Sequence, residues 1–475
     1  MKKIFYTILF ACAVMFSSCS DFLDQNPSTS LPSDQAITNL DELQLAINGI
    51  LYIQTGAWYI TDEAYNKPQG IYAGDFAIYA DLLGGDFEPK DNNNQIGPVG
   101  RYSIDPSHTI TLLFYGKFYK CLALVNFALS QVENIKVTTD EEKATYNDLV
   151  GQLYAMRALM HFDLARMYCK LPTTVTDWDA PSSGLALSDR VFPNTYKATR
   201  GTLRQTYDLI LSDFEKALPL LSTAKHDGYM NYWAAKGLQA RVYLYLGNDE
   251  EALKSATEVI EKSPYKLYTR DEYLSVWSKA YTNESLFEIN VTETYNAQRN
   301  SLGFYTHDDG YAECGATKAF IDFLATQKGD IRTQLFAEEG KDKNVFPQKY
   351  PGRDGNIYVD SPKIIRLSEV YLIAAEAAAK KEGANSANAL KYINTLRSNR
   401  IEGYKAVTTV SLDDVLTERR LELFTEGHNA FDYWRNKKSV TNTTAGVVNY
   451  TDNKTIMPIP QRELSNNPDL VQNPQ

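Results

Sequence analysis

The sequence predicts a mainly α-helical protein with long irregular loops and a few short strands. Three observations support this fold class. Apolar residues recur at helical spacing in several long segments, cap-forming residues precede those segments, and stretches rich in Gly, Asn, Asp and aromatic residues separate them. With 475 residues, the chain is long enough to bury a large hydrophobic core.

The first predicted helix begins after Asn39, whose side chain can cap it while Glu42 reaches back to the amide of the cap. Apolar residues at positions 43, 46, 47, 50 and 51 then share one face, as in a helix that lies on a core. Residues 58–105 show no sustained period. They are predicted to form a long irregular region, and such regions are usually functional or disordered.

Regular structure returns near Thr109, with helices predicted over 112–132 and 142–169 that form a hairpin. A second irregular stretch covers 171–199 and contains Pro172, Pro181 and Pro193. A further helix is predicted over 202–221.

Residues 231–260 have the pattern of a tetratricopeptide-type helix pair. Gly247 suits the left-handed position after the first helix, and Asn248 or Asp249 can cap the second. A second pair is predicted over 367–381 and 387–399. Residues 285–291 and 456–459 are predicted as short strands, and 292–358 as a third irregular region.

The N-terminus has the pattern of a bacterial export signal that ends in a lipid-attachment cysteine. Lys2 and Lys3 precede an apolar run over 4–16, which is too short to span a bilayer, and Ser17-Ser18-Cys19 follows. We expect residues 1–18 to be a lipoprotein signal peptide and Cys19 to carry the lipid anchor. An ordinary secretory signal is the alternative.

Charge and cysteine content narrow the class of protein further. A formal net charge of −11 argues against nucleic acid as a partner. No second apolar run approaches about 20 residues, so membrane attachment is expected through the lipid alone. After Cys12 and Cys19, the remaining Cys121, Cys169 and Cys314 cannot all pair, so no disulfide framework is expected.

The charged residues of the C-terminal third could be catalytic carboxylates or structural ion pairs. Acidic and basic residues there alternate three and four positions apart, which predicts ion pairs on helix surfaces. The residues concerned are Glu369, Glu376, Glu418, Glu422, Glu426 and Asp432, with Arg419, Arg420 and Arg435. There is no Gly-x-Ser-x-Gly motif, and the five histidines lack metal-ligand spacing. We therefore predict no enzymatic activity, no cofactor and no metal.

Ligand-binding candidates come from the irregular regions, where rings can stack on sugar faces and short polar side chains can bind hydroxyls. The chain has 32 Tyr against 20 Phe, an excess that suits such surfaces. One candidate cluster is Tyr72, Asp75, Tyr79, Asp81, Asp86, Asn92, Asn93 and Arg101, and the other is Tyr295, Arg299, Tyr305, Asp308 and Tyr311. Trp58 and Trp178 are added to them, whereas Trp277 and His161 are predicted to be core residues.

Several motifs resemble the SusD/RagB family of surface lipoproteins from Bacteroidota. They follow the family order along the whole chain, although His428 stands where the family commonly has Arg. The motifs are Cys19-Ser-Asp-Phe-Leu-Asp-Gln-Asn-Pro27, Met156-Arg-Ala-Leu-Met-His-Phe-Asp-Leu-Ala-Arg-Met-Tyr168, Tyr207-Asp-Leu-Ile-Leu-Ser-Asp213, Arg366-Leu-Ser-Glu-Val-Tyr-Leu-Ile-Ala-Ala-Glu-Ala377, Ile393-Asn-Thr-Leu-Arg397, Glu418-Arg-Arg-Leu-Glu-Leu-Phe-Thr-Glu-Gly427, Met457-Pro-Ile-Pro460 and Asn467-Pro-Asp-Leu-Val-Gln-Asn-Pro474.

This resemblance implies a SusD-like fold with about four tetratricopeptide-like helix pairs as scaffold. It implies one body over 19–475, with an N-terminal SusD-like region to about 200 and a C-terminal RagB/SusD region from about 201. Such proteins are lipid-anchored at the outer face of the outer membrane and pass oligosaccharides to a SusC-like TonB-dependent transporter. A peptide-binding, RagB-like role is the alternative, and a surface glycan hydrolase is less favoured.

Overall fold

The computed structural model describes residues 36–57, 71–90 and 95–474. The helices are α1 (Leu40–Gln54), α2 (Asp75–Gly84), α3 (Gly97–Gly100), α4 (Thr109–Gln131), α5 (Asp140–Tyr168), α6 (Leu203–Ala217), α7 (Tyr232–Leu246), α8 (Asp249–Lys262), α9 (Leu302–Tyr305), α10 (Lys318–Thr326), α11 (Leu367–Glu382), α12 (Ala387–Ser398), α13 (Leu412–Glu422), α14 (Asn429–Arg435) and α15 (Gln461–Asn466). The fold is therefore mainly α-helical, as the sequence predicts.

Side-chain caps define where several helices begin. Asn39 accepts from the Glu42 N–H at 3.0 Å at the start of α1, while the Glu42 carboxylate accepts from the Thr38 N–H rather than closing on the cap. Full capping boxes start α5 at Thr139 and α6 at Thr202. Because each cap satisfies amides that have no partner within the helix, the polar sequence before each apolar segment fixes the boundary.

The predicted helix pairs are confirmed and pack in series. In the predicted hairpin, α4 packs on α5, and α6 also packs on α5. In the predicted pair over 231–260, Gly247 ends α7 with φ +72°, and Asn248 then caps α8 by accepting from the Glu251 N–H. Helix α11 packs against both α8 and α12. The result is a continuous helical scaffold from α4 to α12.

Among the helices of the described residues, α4 is the one that is both long enough and apolar enough to cross a membrane. Together with the 3-10 turn that follows, residues 109–134 have the length and composition of a membrane span, with a mean hydropathy of 1.3. This corrects the expectation that no such run exists after the signal. However, 56% of its most apolar stretch is buried inside the fold, where it packs against α1 and α5. We therefore describe it as a core helix.

Strands are a minor component and form antiparallel pairs. The strands are β1 (Phe87–Glu88), β2 (Ser285–Glu288), β3 (Gly315–Ala316), β4 (Phe336–Glu339), β5 (Asn344–Pro347), β6 (Lys363–Arg366), β7 (Val440–Asn442) and β8 (Gly446–Val448). They pair as β1 with β3, β2 with β6, β4 with β5, and β7 with β8. The predicted strand over 285–291 is thus present in shortened form.

Three sequence predictions of local structure need correction. The irregular region over 292–358 contains helices α9 and α10 and strands β3 to β5. Residues 75–84 form helix α2 rather than irregular chain, because the helix is buried on every side from Asp75 to Leu83 and so shows no alternation of polar and apolar faces. Residues 456–459 form no strand. Pro458 has no N–H to donate, and the Met457 N–H donates instead to Met167 O at 2.7 Å.

The charged residues predicted to form ion pairs on helix surfaces do pair, but most of them lie inside the protein. Arg366 donates to Glu422 and Glu426 at 2.7 Å each, and Arg400 and Arg332 also contact Glu422, at 3.0 Å each. All five of these side chains are at most 3% exposed. The pairs join separate parts of the chain. Arg366 ends β6, Arg400 follows α12, Glu422 ends α13, Glu426 follows it, and Arg332 lies in the 3-10 turn at 331–335.

A second set of buried pairs lies beside the first. Arg435 and Arg419 both contact Glu376 and Asp432, and Arg241 donates to Glu369 at 2.6 Å. His428 Nε2 lies 3.6 Å from Glu369, but burial lowers the pKa of His428 well below its usual value, and Arg241 and Arg419 add to this effect. His428 is therefore neutral, and Arg241 provides the positive partner of Glu369.

The other core predictions are confirmed. Trp277 and His161 are buried, and His161 is held through its Nδ1 by Arg157 O and through its Nε2 by the Ser188 N–H. Cys121, Cys169 and Cys314 are buried free thiols. Burial raises the pKa of Cys121 to about 12 and that of Cys169 to about 11.

Candidate functional site

An open cavity of about 590 Å³ lies between α1 and two loops, and we call it the tyrosine cavity. This volume is typical of small-molecule sites, which usually span about 300 to 1,000 Å³. Its lining residues are Asn48, Gly49, Leu51, Tyr52, Thr55, Asp227, Gly228, Tyr229, Asn290 and Tyr295. Three phenol rings and several short polar side chains thus converge on one space.

Helix α1 provides the first wall. Asn48, Tyr52 and Thr55 lie three and four residues apart and so share one face at the end of the helix. The opposite face carries Leu43 and Ile47, which are fully buried in the core. Burial of the apolar face therefore fixes the direction of the polar face toward the cavity.

The second wall is the loop before α7. Gly228 has φ +79°, a conformation that favours glycine, and it lets the chain turn tightly beside Tyr281. The Tyr229 hydroxyl donates to Asn48 Oδ1 at 2.8 Å, and its ring stacks on His226 with centroids 4.4 Å apart. Tyr229 is thereby tied to α1 across the base of the cavity.

The third wall is a turn after β2 that presents Tyr295. The Thr292 N–H donates to Tyr295 O and the Tyr295 N–H donates to Thr292 Oγ1, both at 3.0 Å, while the Asn296 amide donates to Thr292 O. These bonds hold the turn although the Tyr295 ring is 48% exposed. The ring meets that of Tyr52 edge to face, with centroids 4.9 Å apart.

The chemistry of the cavity is that of a binding site for a polar ligand with apolar faces. The rings of Tyr52, Tyr229 and Tyr295 provide stacking surfaces, while the side chains of Asn48 and Asn290 provide amide donors and acceptors. Asp227 is the charged member of the lining, and its carboxylate is 55% exposed, 3.6 Å from Lys225. The cavity therefore has a hydrogen-bonding acidic edge.

Most of the first predicted cluster lies in the core. Tyr72 donates to Asp163 at 2.6 Å, Tyr79 packs against Phe114 and Phe431, and Asp86 forms an ion pair with Arg420. Buried with them are Asp75 and Asp81, at 0% and 1% exposure. These five side chains are at most 5% exposed and do not line the tyrosine cavity, so we do not carry them into the proposed site.

The remaining predicted residues are dispersed. Tyr305 is buried, Tyr311 is half-buried against Phe304 and Tyr305, and Asp308 is partly exposed on the adjoining turn. Trp178 donates its ring N–H to Pro172 O at 3.1 Å and lies beneath Arg204. Arg299 is exposed and Arg101 half-buried, and neither lines the tyrosine cavity. Of the residues predicted, the structure places Tyr295 there.

Four predicted residues lie outside the described part of the chain: Cys19, Trp58, Asn92 and Asn93. Trp58 directly follows Ala57, whose carbonyl accepts from the Tyr52 hydroxyl at 3.4 Å. The roles of these residues remain predictions.

Sequence reasoning missed Asn48, Tyr52, Asp227, Tyr229 and Asn290. The candidates were sought in irregular regions, whereas Asn48 and Tyr52 belong to a regular amphipathic helix. A usable signal was present, because a tyrosine four residues after an asparagine on the polar face places a ring and an amide side by side.

The carboxylates that were weighed as a catalytic pair are engaged in structural ion pairs. Four carboxylates that could have formed a catalytic acid–base pair are at most 2% exposed and paired with arginines. They are Glu369, Glu376, Glu418 and Glu422. Within residues 36–57, 71–90 and 95–474, no group of three His, Cys, Asp or Glu residues could hold a metal ion.

A helical scaffold that holds loops around an aromatic, open cavity defines a class of binding proteins. Family comparisons agree with this class. Residues 194–475 match the model of the SusD family, and residues 21–244 match a model described as starch-binding associating with outer membrane. Because the first match covers more than half of the chain, the protein belongs to the SusD family, also called SusD/RagB.

Individual relatives agree with the assignment. SusD-like protein P38 of Formosa agariphila is 21% identical over 100% of this chain and 99% of its own. A SusD superfamily protein of Bacteroides thetaiotaomicron has a similar structure, with a TM-score of 0.83 and 28% identity over 92% of this chain and 100% of its own. A laminarin-binding SusD-like protein shares the fold at 19% identity and a TM-score of 0.72, over 92% of this chain and 100% of its own.

Proposed function

We propose that this protein is a cell-surface lipoprotein that binds oligosaccharides in the tyrosine cavity and passes them to a SusC-like TonB-dependent transporter. The observation that carries the proposal is the convergence of Tyr52, Tyr229 and Tyr295 with Asn48 and Asn290 on one open cavity. Sugars present C–H faces, which stack on aromatic rings. They also present hydroxyl groups, which need both hydrogen-bond donors and acceptors.

The match of residues 21–244 to a model described as starch-binding associating with outer membrane supports a glycan ligand, as does the similar fold of a laminarin-binding protein. The pairing of interior carboxylates with arginines supports capture rather than hydrolysis. The acidic edge at Asp227 would favour a basic peptide, so peptides belong in the same binding test.

The binding test uses a soluble form of residues 20–475 and calorimetry with starch, laminarin, xylan and galactomannan oligosaccharides and with a peptide library. Replacing both Tyr52 and Tyr295 by Ala should weaken binding roughly 5- to 100-fold, because each ring contact contributes about 0.5–1.5 kcal/mol. Leu45→Ala is the matched control, since Leu45 is 66% exposed on the same helix outside the cavity.

Each result has a defined meaning. Unchanged glycan affinity in the double variant would refute the tyrosine cavity as the site. Binding of peptides alone would replace the glycan by a peptide, and release of reducing ends would replace capture by hydrolysis. Recovery of the native lipoprotein from mild detergent without an outer-membrane barrel would refute delivery to a transporter.

The proposed anchor is tested by Cys19→Ala in cells. The variant should still be exported, because the charged and apolar parts of the signal are intact, but it should leave the membrane fraction. Metabolic labelling with a fatty acid and cell fractionation measure this. Persistence of the variant in the membrane would contradict lipid attachment at Cys19.

A further inference from the structure

A second aromatic cavity, of about 440 Å³, lies between α4, residues 186–198 and the C-terminal segment around α15. We call it the Phe192 groove. It shares no lining residue with the tyrosine cavity. It is a separate space to which neither the sequence nor the family comparisons assign a role.

One wall of the groove is a pair of stacked rings. Phe192 and Tyr196 lie with centroids 4.1 Å apart and planes inclined by only 15°. Arg190 sits over the other face of Phe192 at 4.6 Å, while the Tyr196 ring remains 44% exposed. The Tyr196 N–H donates to Pro193 O at 2.9 Å, which closes the turn between the two rings. The chain thus holds a flat aromatic surface toward solvent.

The facing wall belongs to α4. Tyr115 and Tyr119, one helical turn apart, have centroids 4.5 Å from each other. The Tyr119 hydroxyl donates to Ala186 O at 2.8 Å, which ties the loop that leads to Phe192 onto the helix. A bound group between these walls would therefore meet aromatic surface on two sides.

Polar groups stand at the rim. Lys120 follows Tyr119 and is exposed, and Glu463, in the first turn of α15, also lines the groove. The Asn467 amide donates to Ala198 O at 2.6 Å and ties the C-terminal segment to the loop. The rim therefore offers both a donor and an acceptor for hydroxyl groups beside the rings.

We propose that the Phe192 groove is a second carbohydrate-binding site, which takes one or two neutral sugar units of the same type of glycan that the tyrosine cavity binds. This inference rests on the proposed function. A cavity of about 440 Å³ suits one or two sugar rings, whereas a stable protein partner needs about 800 Å² of surface on each side. Two sites on one chain would increase the apparent affinity for a polysaccharide that contains many identical units.

The experiment uses native affinity electrophoresis of residues 20–475 in gels that contain starch, laminarin, xylan or galactomannan. Hexasaccharides of each polysaccharide that retards the protein are then titrated by calorimetry. The wild type should bind two hexasaccharides per chain. The double variant Phe192→Ala with Tyr196→Ala should bind one and should be retarded less, with an affinity for the polysaccharide roughly 3- to 30-fold lower.

The matched control is Val191→Ala, which changes an exposed residue between Arg190 and Phe192 that does not line the groove. It should bind two hexasaccharides. Tyr196→Ala alone is the second variant, because removing a 44% exposed ring leaves the core intact and separates loss of binding from loss of folding.

The outcomes separate this inference from the proposed function. A stoichiometry of one in the wild type, unchanged in the Phe192 and Tyr196 variants, would refute the second site and leave the tyrosine cavity standing. Failure of all four polysaccharides to bind the wild type would refute both. If the Phe192 and Tyr196 variants bind glycan normally but no longer copurify with a barrel protein, the groove is a protein interface. That result would also refute the second site.

Discussion

Glu422 is the residue on which the buried ion pairs converge. Its two carboxylate oxygens contact Arg366 at 2.7 Å and Arg332 and Arg400 at 3.0 Å each, and its side chain is 0% exposed. Burial alone would raise its pKa, but Arg400, Arg366 and Arg332 together lower the pKa well below its usual value. One negative charge thus helps to neutralise three arginines from three parts of the chain.

Replacing Glu422 by Gln should therefore be costly. Arg332, Arg366 and Arg400 would keep their positive charges in the interior with one counter-charge fewer, and such a loss typically costs about 3–5 kcal/mol of the free energy of unfolding. Urea denaturation measures it. The matched control is Asp322→Asn, which breaks an exposed pair with Lys318 and should change the free energy by less than about 0.5 kcal/mol. Equal losses in the two variants would contradict the structural role of Glu422.

Single residues also show what the sequence could predict about the site. Tyr295 was found because its turn is irregular and rich in polar residues. Tyr52 was not a candidate because it lies in a regular helix. The local pattern of Asn48 and Tyr52 places a ring beside an amide, but it does not report the contacts with Tyr229 and Tyr295, which are far away in sequence. The burial of Tyr72 and Asp86 was not predictable for the complementary reason, since their partners Asp163 and Arg420 are also distant in sequence.

At the scale of elements, α8 was predictable from its single buried face, whereas α2 was not predictable. Helix α8 buries Ala252, Ala256 and Val259 at a spacing of three to four residues, and its position was predicted nearly to the residue. Helix α2 is buried along its whole length and shows no such period. The hydrophobic pattern reports a boundary between core and solvent, and α2 has no solvent side.

The α7–α8 junction depends on a backbone conformation that side chains disfavour. Gly247→Ala should reduce the free energy of unfolding by about 1 kcal/mol, because φ +72° is strained for an L-residue and the new Cβ would lie 3.3 Å from Thr173 Cγ2. Thermal unfolding measures the change. Gly49→Ala is the opposite control: Gly49 lies inside α1 with nothing within 4 Å of a new Cβ, so alanine should stabilise the protein by about 0.5–1 kcal/mol. Stabilisation by Gly247→Ala would contradict the strain at this position.

At the scale of the whole molecule, the interior ion pairs tie the C-terminal half of the chain together. Residues from β2, β6, α11, α12, α13 and α14 meet through such pairs. Buried pairs are weak evidence for net stability but strongly disfavour arrangements in which a charge is left alone. The network therefore specifies how the helices and strands assemble.

The same pairs predict how the stability of the protein depends on pH. The pKa of Glu376 and that of Glu422 are both held well below the usual value of 4.5 in the folded protein, against the effect of burial and by the neighbouring arginines. Because the folded pKa values are lowered, the stabilisation is complete above about pH 4.5 and is lost as the pH falls further. Urea midpoints at pH 7, 5, 4 and 3 should fall progressively below pH 5. Equal midpoints at pH 7 and pH 3 would contradict this prediction.

Cys121, Cys169 and Cys314 have a practical consequence for observing the protein at work. Each thiol is buried, and burial raises its pKa, so none provides the accessible thiolate that reacts with maleimides or disulfides. In the soluble form of residues 20–475, a single cysteine introduced at an exposed position near Tyr295 would be labelled alone, without removing any of these three. Fluorescence from a dye placed there would report occupation of the tyrosine cavity in solution, in oxidising and in reducing media alike.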